Sequence, residues 1–177
     1  TRAFLASASS GGNRERKGPL PFYLDEGEQL SFLGKRPGER GDPARQRGVR
    51  GRARKRAGLP PADLDYIFAG DLLNQCIGSS FGLREFHIPF YGLYGACSTM
   101  GESLALAAMS IDGGFARRVA AMTSSHFCTA ERQYRMPVPY GNQRTPTAQW
   151  TATASGCTLL SDEGPGPYIT HVTCGQI

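Results

Sequence analysis

No run in this 177-residue sequence approaches the roughly 18 to 20 consecutive apolar residues of a membrane-spanning helix, and no signal-peptide pattern opens it. It begins at Thr1 rather than Met, so the natural start is expected to be missing. Cysteine is sparse: Cys76, Cys97, Cys128, Cys157 and Cys174 are scattered and odd in number. The lack of any CxxC pair or Cys/His ligand spacing argues against both a zinc site and a disulfide framework. Reduced intracellular thiols are expected, with no metal and no cofactor. Acidic character is absent only locally. Lys35 to Arg56 carries ten basic residues against Glu39 and Asp42, a local net of +8, which leaves −3 for the rest of a chain whose total is +5. The length suits one domain with a real core.

What is present centres on Gly95-Ala96-Cys97-Ser98-Thr99-Met100-Gly101-Glu102-Ser103. This stretch joins the apolar run Ile88 to Tyr94 to the helical run Leu104 to Ile111. Gly95 and Ala96 permit a tight turn, and Ser98 or Thr99 can cap the following helix. A cysteine there meets unpaired N–H groups and the positive end of a helix dipole, the setting of an activated thiol. A small buried cysteine in a tight turn fits the same residues.

Taken in order, Ala3 to Ala6 reads as a short strand and the rest of Thr1 to Leu20 as loop. From Pro21 to Arg56 Arg, Gly and Pro crowd together, and Val49 is the only large apolar residue between Leu33 and Leu59. That composition predicts disorder, either as a solvated linker or as a basic arm for nucleic acid. Tyr66 to Gly70 reads as a buried strand, Gln75 to Phe86 as a helix weakened by Gly78 and Gly82, and Arg117 to Thr123 as another strand. Gln149 to Ala154 and Gly156 to Leu160 read as strand with a bulge between them, and Tyr168 to Thr173 as the last strand. Strands alternating with helices predict an α/β fold with a mostly parallel sheet, whose ligand crevice lies at the carboxyl ends of its strands. Asp71, Cys97 and His126 all fall at such ends, which favours a site over a buried structural cysteine.

Five segments in series carry a resemblance: Ile67 to Gln75, Gly95 to Thr99, Asp112 to Ala116, Thr123 to His126 and Thr129 to Gln133. Together they resemble the stage V sporulation protein AD family, thiolase-like proteins of endospore-forming bacteria. The likeness is close over 57–177 and faint at Gly18-Pro19-Leu20. It implies one half of a thiolase-like fold, a mixed, mostly parallel five-stranded sheet with helices packed on it, in an incomplete copy. It further implies non-catalytic binding of dipicolinic acid for uptake into the developing spore. The partners would be other spore uptake proteins at the membrane, with the chain peripheral on the cytoplasmic side of the forespore or spore inner membrane. Cys97 falls where thiolases and ketoacyl synthases carry their nucleophile, while their partner His, Asn or second Cys comes from the other half.

The family has an acidic amphipathic helix containing Ser-Trp-Glu where this chain has Phe22 to Arg56. Arg, Gly, Pro and Ala have GC-rich codons, and codons shifted by one base at Leu33 to Arg36 can encode Trp-Glu-Lys. A frameshift between roughly Pro21 and Arg56 is therefore the hypothesis for that segment, and the nucleotide sequence tests it directly. The chain divides on this view into an N-terminal piece at 1–20, the atypical segment at 21–56 and the half-domain at 57–177.

The expected ligand-binding residues are Cys97, Ser98, Thr99, His126, Arg132 and Arg135, with Cys97 also at the nucleophile position. Two guanidinium groups suit a small aromatic dicarboxylate, since each can hold a carboxylate in two places. A loop ion pair would explain the same arginines, and a structural role the same histidine. Asp71 and Asn74 are expected to hold the loop after their strand by side-chain to backbone hydrogen bonds. The rival readings are an acyl-transferring enzyme using Cys97 and, resting wholly on Lys35 to Arg56, a nucleic-acid binder. A homodimer fits the half-domain; nucleic acid is not an expected partner.

Overall fold

The structure, a computed structural model, describes residues 2–19, 21–27, 41–60, 63–73, 76–125 and 152–176. Its elements in chain order are β1 (Arg2–Gly11), α1 (Asn13–Arg16), β2 (Glu26–Gly27), α2 (Gly41–Arg56), β3 (Tyr66–Gly70), α3 (Ile77–Leu83), β4 (Phe90–Gly92), α4 (Thr99–Asp112), β5 (Arg118–Ser125), β6 (Ala154–Ser161) and β7 (Tyr168–Ile169).

These strands form one sheet in the order β2-β1-β6-β5-β3-β4, with β7 also paired to β1. β3 runs parallel to both β4 and β5, whereas β6 is antiparallel to β5 and to β1. Among the five longer strands, four therefore share one direction and β6 alone is reversed. The expected mixed, mostly parallel five-stranded sheet is present, extended by the two-residue strands β2 and β7.

Alternation of side chains along each strand splits the core in two. Ile67, Ala69, Ala120, Met122, Cys157 and Leu159 face one way, against Val49 and Ala53 of α2 and Leu83 of α3. Phe68, Val119, Ala121 and Leu160 face the other way, against Ala107 and Ile111 of α4. Buried on both faces, β3 and the first half of β5 (Val119 to Met122) read as continuous apolar runs rather than alternating ones. Asp65 ties the amino ends of β3 and β5 together by accepting the amide hydrogens of Arg117 and Arg118 at 2.7 and 2.9 Å.

The disorder expected across 21–56 does not hold for its second part. Residues 41–56 form a 16-residue helix, and the sheet covers Val49, Ala53 and the body of Arg50. Ala and Arg are good helix formers, and long arginine stems bury apolar length while their heads find partners. Arg47 pairs with Glu85, Arg50 lies 3.7 Å from the centre of the Phe86 ring, Arg54 donates to the Leu59 carbonyl, and Arg56 pairs with Asp25. These four guanidinium groups are thus spent within the fold. α2 and β1 both pack into the core of the body that follows residue 57. Residues 28–40 lie outside the described residues.

Two strand expectations also change. β6 is one unbroken strand from Ala154, and the bulge falls instead on β1 between Phe4 and Ala6. β1 runs for ten residues rather than four, because its small residues pair along nearly all of β6.

Candidate functional site: the turn at Cys97

β3, β4 and β5 are parallel neighbours, so their carboxyl ends lie on one edge of the sheet. Asp71 follows β3 there, and the chain leaving β4 reaches Cys97 there. Gly70 shows how tightly these pieces meet. A Cβ at that position would lie 2.0 Å from the Leu93 carbonyl oxygen and 2.7 Å from the Thr99 side chain, so only glycine lets the turn seat on the strand end.

Residues Ala96–Ser98 form one 3-10 turn that runs directly into α4. Ala96 holds φ at +48°, a left-handed conformation that costs an alanine of order 1–3 kcal/mol and clusters at functional turns. Cys97 is exposed at the top of this turn. The capping expected of Ser98 or Thr99 is not found. Ser98 has helical φ and ψ of −84° and −11°, and its hydroxyl donates backwards to the Gly95 carbonyl at 2.8 Å. A side-chain cap needs an extended backbone, which the preceding 3-10 turn removes. Thr99 is fully buried, and its hydroxyl has no hydrogen-bond partner among the described residues.

Asp71 does what its sequence position suggests. Only 1% exposed, it accepts the Leu73 amide at 2.8 Å and both the amide and the hydroxyl of Ser79 at 2.6 Å. One carboxylate thereby closes the loop between β3 and α3. Asn74, His126, Arg132 and Arg135 lie outside the described residues.

Sequence reasoning missed two groups. Cys76, in a left-handed backbone conformation with φ at +57°, directs its thiol to the Leu93 carbonyl at 3.1 Å, just before the turn. Burial, and then the nearby Asp71 charge, push that thiol above its ordinary range. Glu102 brings its carboxylate over Gly95, within 2.5 Å of where a Cβ would stand. The spacing Thr99-x-x-Glu102 is the signal that could have drawn notice to Glu102, since Thr-x-x-Glu is a helix-start pattern. Cys76 left no such signal, because its role comes from contact with a residue seventeen positions away. Among the described residues no group of three His, Cys, Asp or Glu stands close enough to hold a metal.

The described histidines stand elsewhere. His87 precedes β4 and so lies toward the amino ends of the strands. His171 lines a groove of about 450 Å³ with Asp112 and Gly113, at the far end of α4 and about 20 Å from Cys97 along a 14-residue helix.

A mixed sheet sandwiched by helices, with a cysteine turn at the carboxyl edge feeding a helix across one face, defines a thiolase-like fold. Solved structures with this architecture include 3-oxoacyl-[acyl-carrier-protein] synthase III from Aquifex aeolicus VF5. It has a TM-score of 0.61 at 15% identity, over 92% of this chain and 54% of that one. The corresponding synthase III from Thermus thermophilus gives 0.59 at 15% identity, over 93% and 52%. Identities this low carry the fold and not the chemistry.

The chain belongs to the stage V sporulation protein AD family, whose model matches residues 1–177. It is 37% identical over 175 residues to "Stage V sporulation protein AD" of Bacillus subtilis (strain 168), covering 98% of this chain. The chain spans about half of that relative, 52% of its length. The family match runs through the basic segment as well as the residues around it.

Proposed function

We propose that this chain is the amino-terminal half of a thiolase-like sporulation protein that binds dipicolinic acid without catalysing a reaction. It would serve uptake of that ligand into the spore together with membrane partners, peripheral on the cytoplasmic side of the inner membrane. Among the described residues no helix is long and apolar enough to cross a membrane. The observation that carries the reading is the turn itself. An exposed thiol and a buried, unpartnered Thr99 hydroxyl stand together at the amino end of α4, where peptide N–H groups and the helix dipole favour a carboxylate. Arg132 and Arg135 are the proposed guanidinium partners, and His126 the proposed orienting group. Tyr91, Tyr94, Met109 and Phe115 are exposed and large, a surface of the kind that a second half of the fold would cover.

Calorimetric titration of dipicolinate into the parent chain and into Cys97→Ala and Thr99→Val tests this. Saturable binding, weakened about tenfold or roughly 1.4 kcal/mol by either change, is expected. A folded chain that shows no saturable binding overturns the reading for this chain.

A second reading, acyl transfer through Cys97, draws on the exposure of that thiol at a helix start. Incubation with an acyl-coenzyme A followed by peptide mapping separates the two, because only the enzyme reading acylates Cys97 well ahead of the equally exposed Cys174.

A further inference from the structure

α4 carries one acidic residue in its first turn, Glu102, and that side chain reaches back over the Cys97 turn. A Cβ on Gly95 would lie 2.5 Å from one Glu102 carboxylate oxygen and 2.5 Å from the Ser98 hydroxyl, with the Thr99 nitrogen at 3.4 Å. Cys97 lies between Gly95 and Ser98, within the 3-10 turn Ala96–Ser98. Glu102 is exposed, and among the described residues neither a cation nor a hydrogen-bond donor meets its carboxylate.

A carboxylate is favoured at this end of a helix. The amides of Ala96 and Cys97 open the turn with no carbonyl inside it to bond, and the positive end of the helix dipole lies there. The same features suit a carboxylate brought by a ligand, so Glu102 and an anionic ligand compete for one place. The Glu102 charge is also felt beneath the turn. Burial first, then Asp71 and more weakly Glu102, push the Cys76 thiol above its ordinary range. Among the described residues, therefore, an unneutralised negative charge stands beside the exposed Cys97.

We propose that Glu102 sets the charge selectivity of the Cys97 turn: its carboxylate holds the anion position, and an anionic group arrives there only by displacing it. The inference rests on the reading of this turn as a carboxylate-binding site and deepens it by naming the residue that opposes the ligand. A neutral molecule approaches Cys97 without meeting that repulsion, whereas each negative charge on a ligand is opposed at close range. Neutralising Glu102 therefore strengthens the binding of anions and leaves neutral molecules unaffected.

The test compares the parent chain with Glu102→Gln in two assays. In the first, Cys97 is alkylated by iodoacetate and by its neutral counterpart iodoacetamide, and peptide mapping reads the rates. The reagents differ in charge, so a change in thiol ionisation cancels in their ratio. Cys174 is the exposed reference, since His171 and Val172 before it lie by the far end of α4. At low ionic strength Glu102→Gln is expected to raise the iodoacetate-to-iodoacetamide ratio at Cys97 at least about threefold and to leave it unchanged at Cys174. The gain should shrink in about 1 M salt, where the screening length falls to about 3 Å. In the second assay, calorimetric titration of dipicolinate should give binding at least about threefold tighter in the variant. Glu102→Ala gives the same readouts if Glu102→Gln does not fold. An unchanged ratio at Cys97, an equal rise at Cys174 or a gain that salt does not reduce overturns the proposal. Dipicolinate bound by the parent and no more tightly by the variant overturns it equally. If neither form binds dipicolinate while the Cys97 ratio shifts as expected, the dipicolinate reading fails and the role of Glu102 stands.

Discussion

Replacing Asp71 with alanine tests whether one buried carboxylate holds the loop beneath the Cys97 turn. Three donors point at it, two of them from Ser79, which is fully buried. A buried donor left without a partner costs about 1–3 kcal/mol, so the two on Ser79 together cost about 2–6 kcal/mol. Leu73 is only half-buried, and its amide can turn to water at little cost. Asp71→Ala should therefore destabilise the chain by about 4 kcal/mol, a large part of the roughly 5–15 kcal/mol of an ordinary domain. With a urea m-value of about 2 kcal/mol/M, the midpoint followed by far-ultraviolet circular dichroism should fall by about 2 M. Adding Ser79→Ala removes one orphaned donor, so the double variant should lose about 1–2 kcal/mol less than the sum of the single ones. A midpoint lowered by less than about 0.5 M, near 1 kcal/mol, would refute the reasoning, as would strictly additive single effects.

Gly70→Ala places a methyl group against the Leu93 carbonyl and Thr99, and backbone cannot yield as a side chain can. We expect a loss of about 3 kcal/mol or more in the same urea assay, with faster hydrogen exchange through residues 93–99. Under native conditions an aromatic disulfide reagent should modify Cys97 and Cys174, which are exposed, well before Cys76 and Cys157, which are buried; equal rates for all four would show that the core is not closed. Burial pushes the Cys157 thiol up to about 12, with the nearby Arg50 charge opposing. The unfolded thiol titrates near 8.5, so this contribution to stability is complete below that pH and is lost progressively between there and about 12. By pH 10 the loss should be about 2 kcal/mol, and Cys157→Ala should remove most of it from the pH profile of urea midpoints.

The sheet and the turn were legible in the sequence because local chemistry dictates both. Tyr66 to Gly70 and Val119 to Met122 are apolar on both faces, the mark of strands covered on each side. The Gly-Ala-Cys-Ser-Thr turn before an alanine-rich helix announces its geometry through residues adjacent in the chain. Even the reversed direction of β6 needed the structure, because a strand reads the same whichever way it runs. Only the tertiary structure decided the fate of the basic segment. Val49 and Ala53 make a thin apolar stripe, and disorder follows when burial is counted from apolar residues alone. In the fold, the stem of Arg50 lies over Phe86 and the charges of Arg47 and Arg56 meet Glu85 and Asp25, partners 38 and 31 positions away. Cys76 against Leu93 and Glu102 over Gly95 arise in the same way. Hydrophobic periodicity reports which residues leave water, whereas a charged or polar side chain is placed by whatever the folded chain brings within about 3 Å of it.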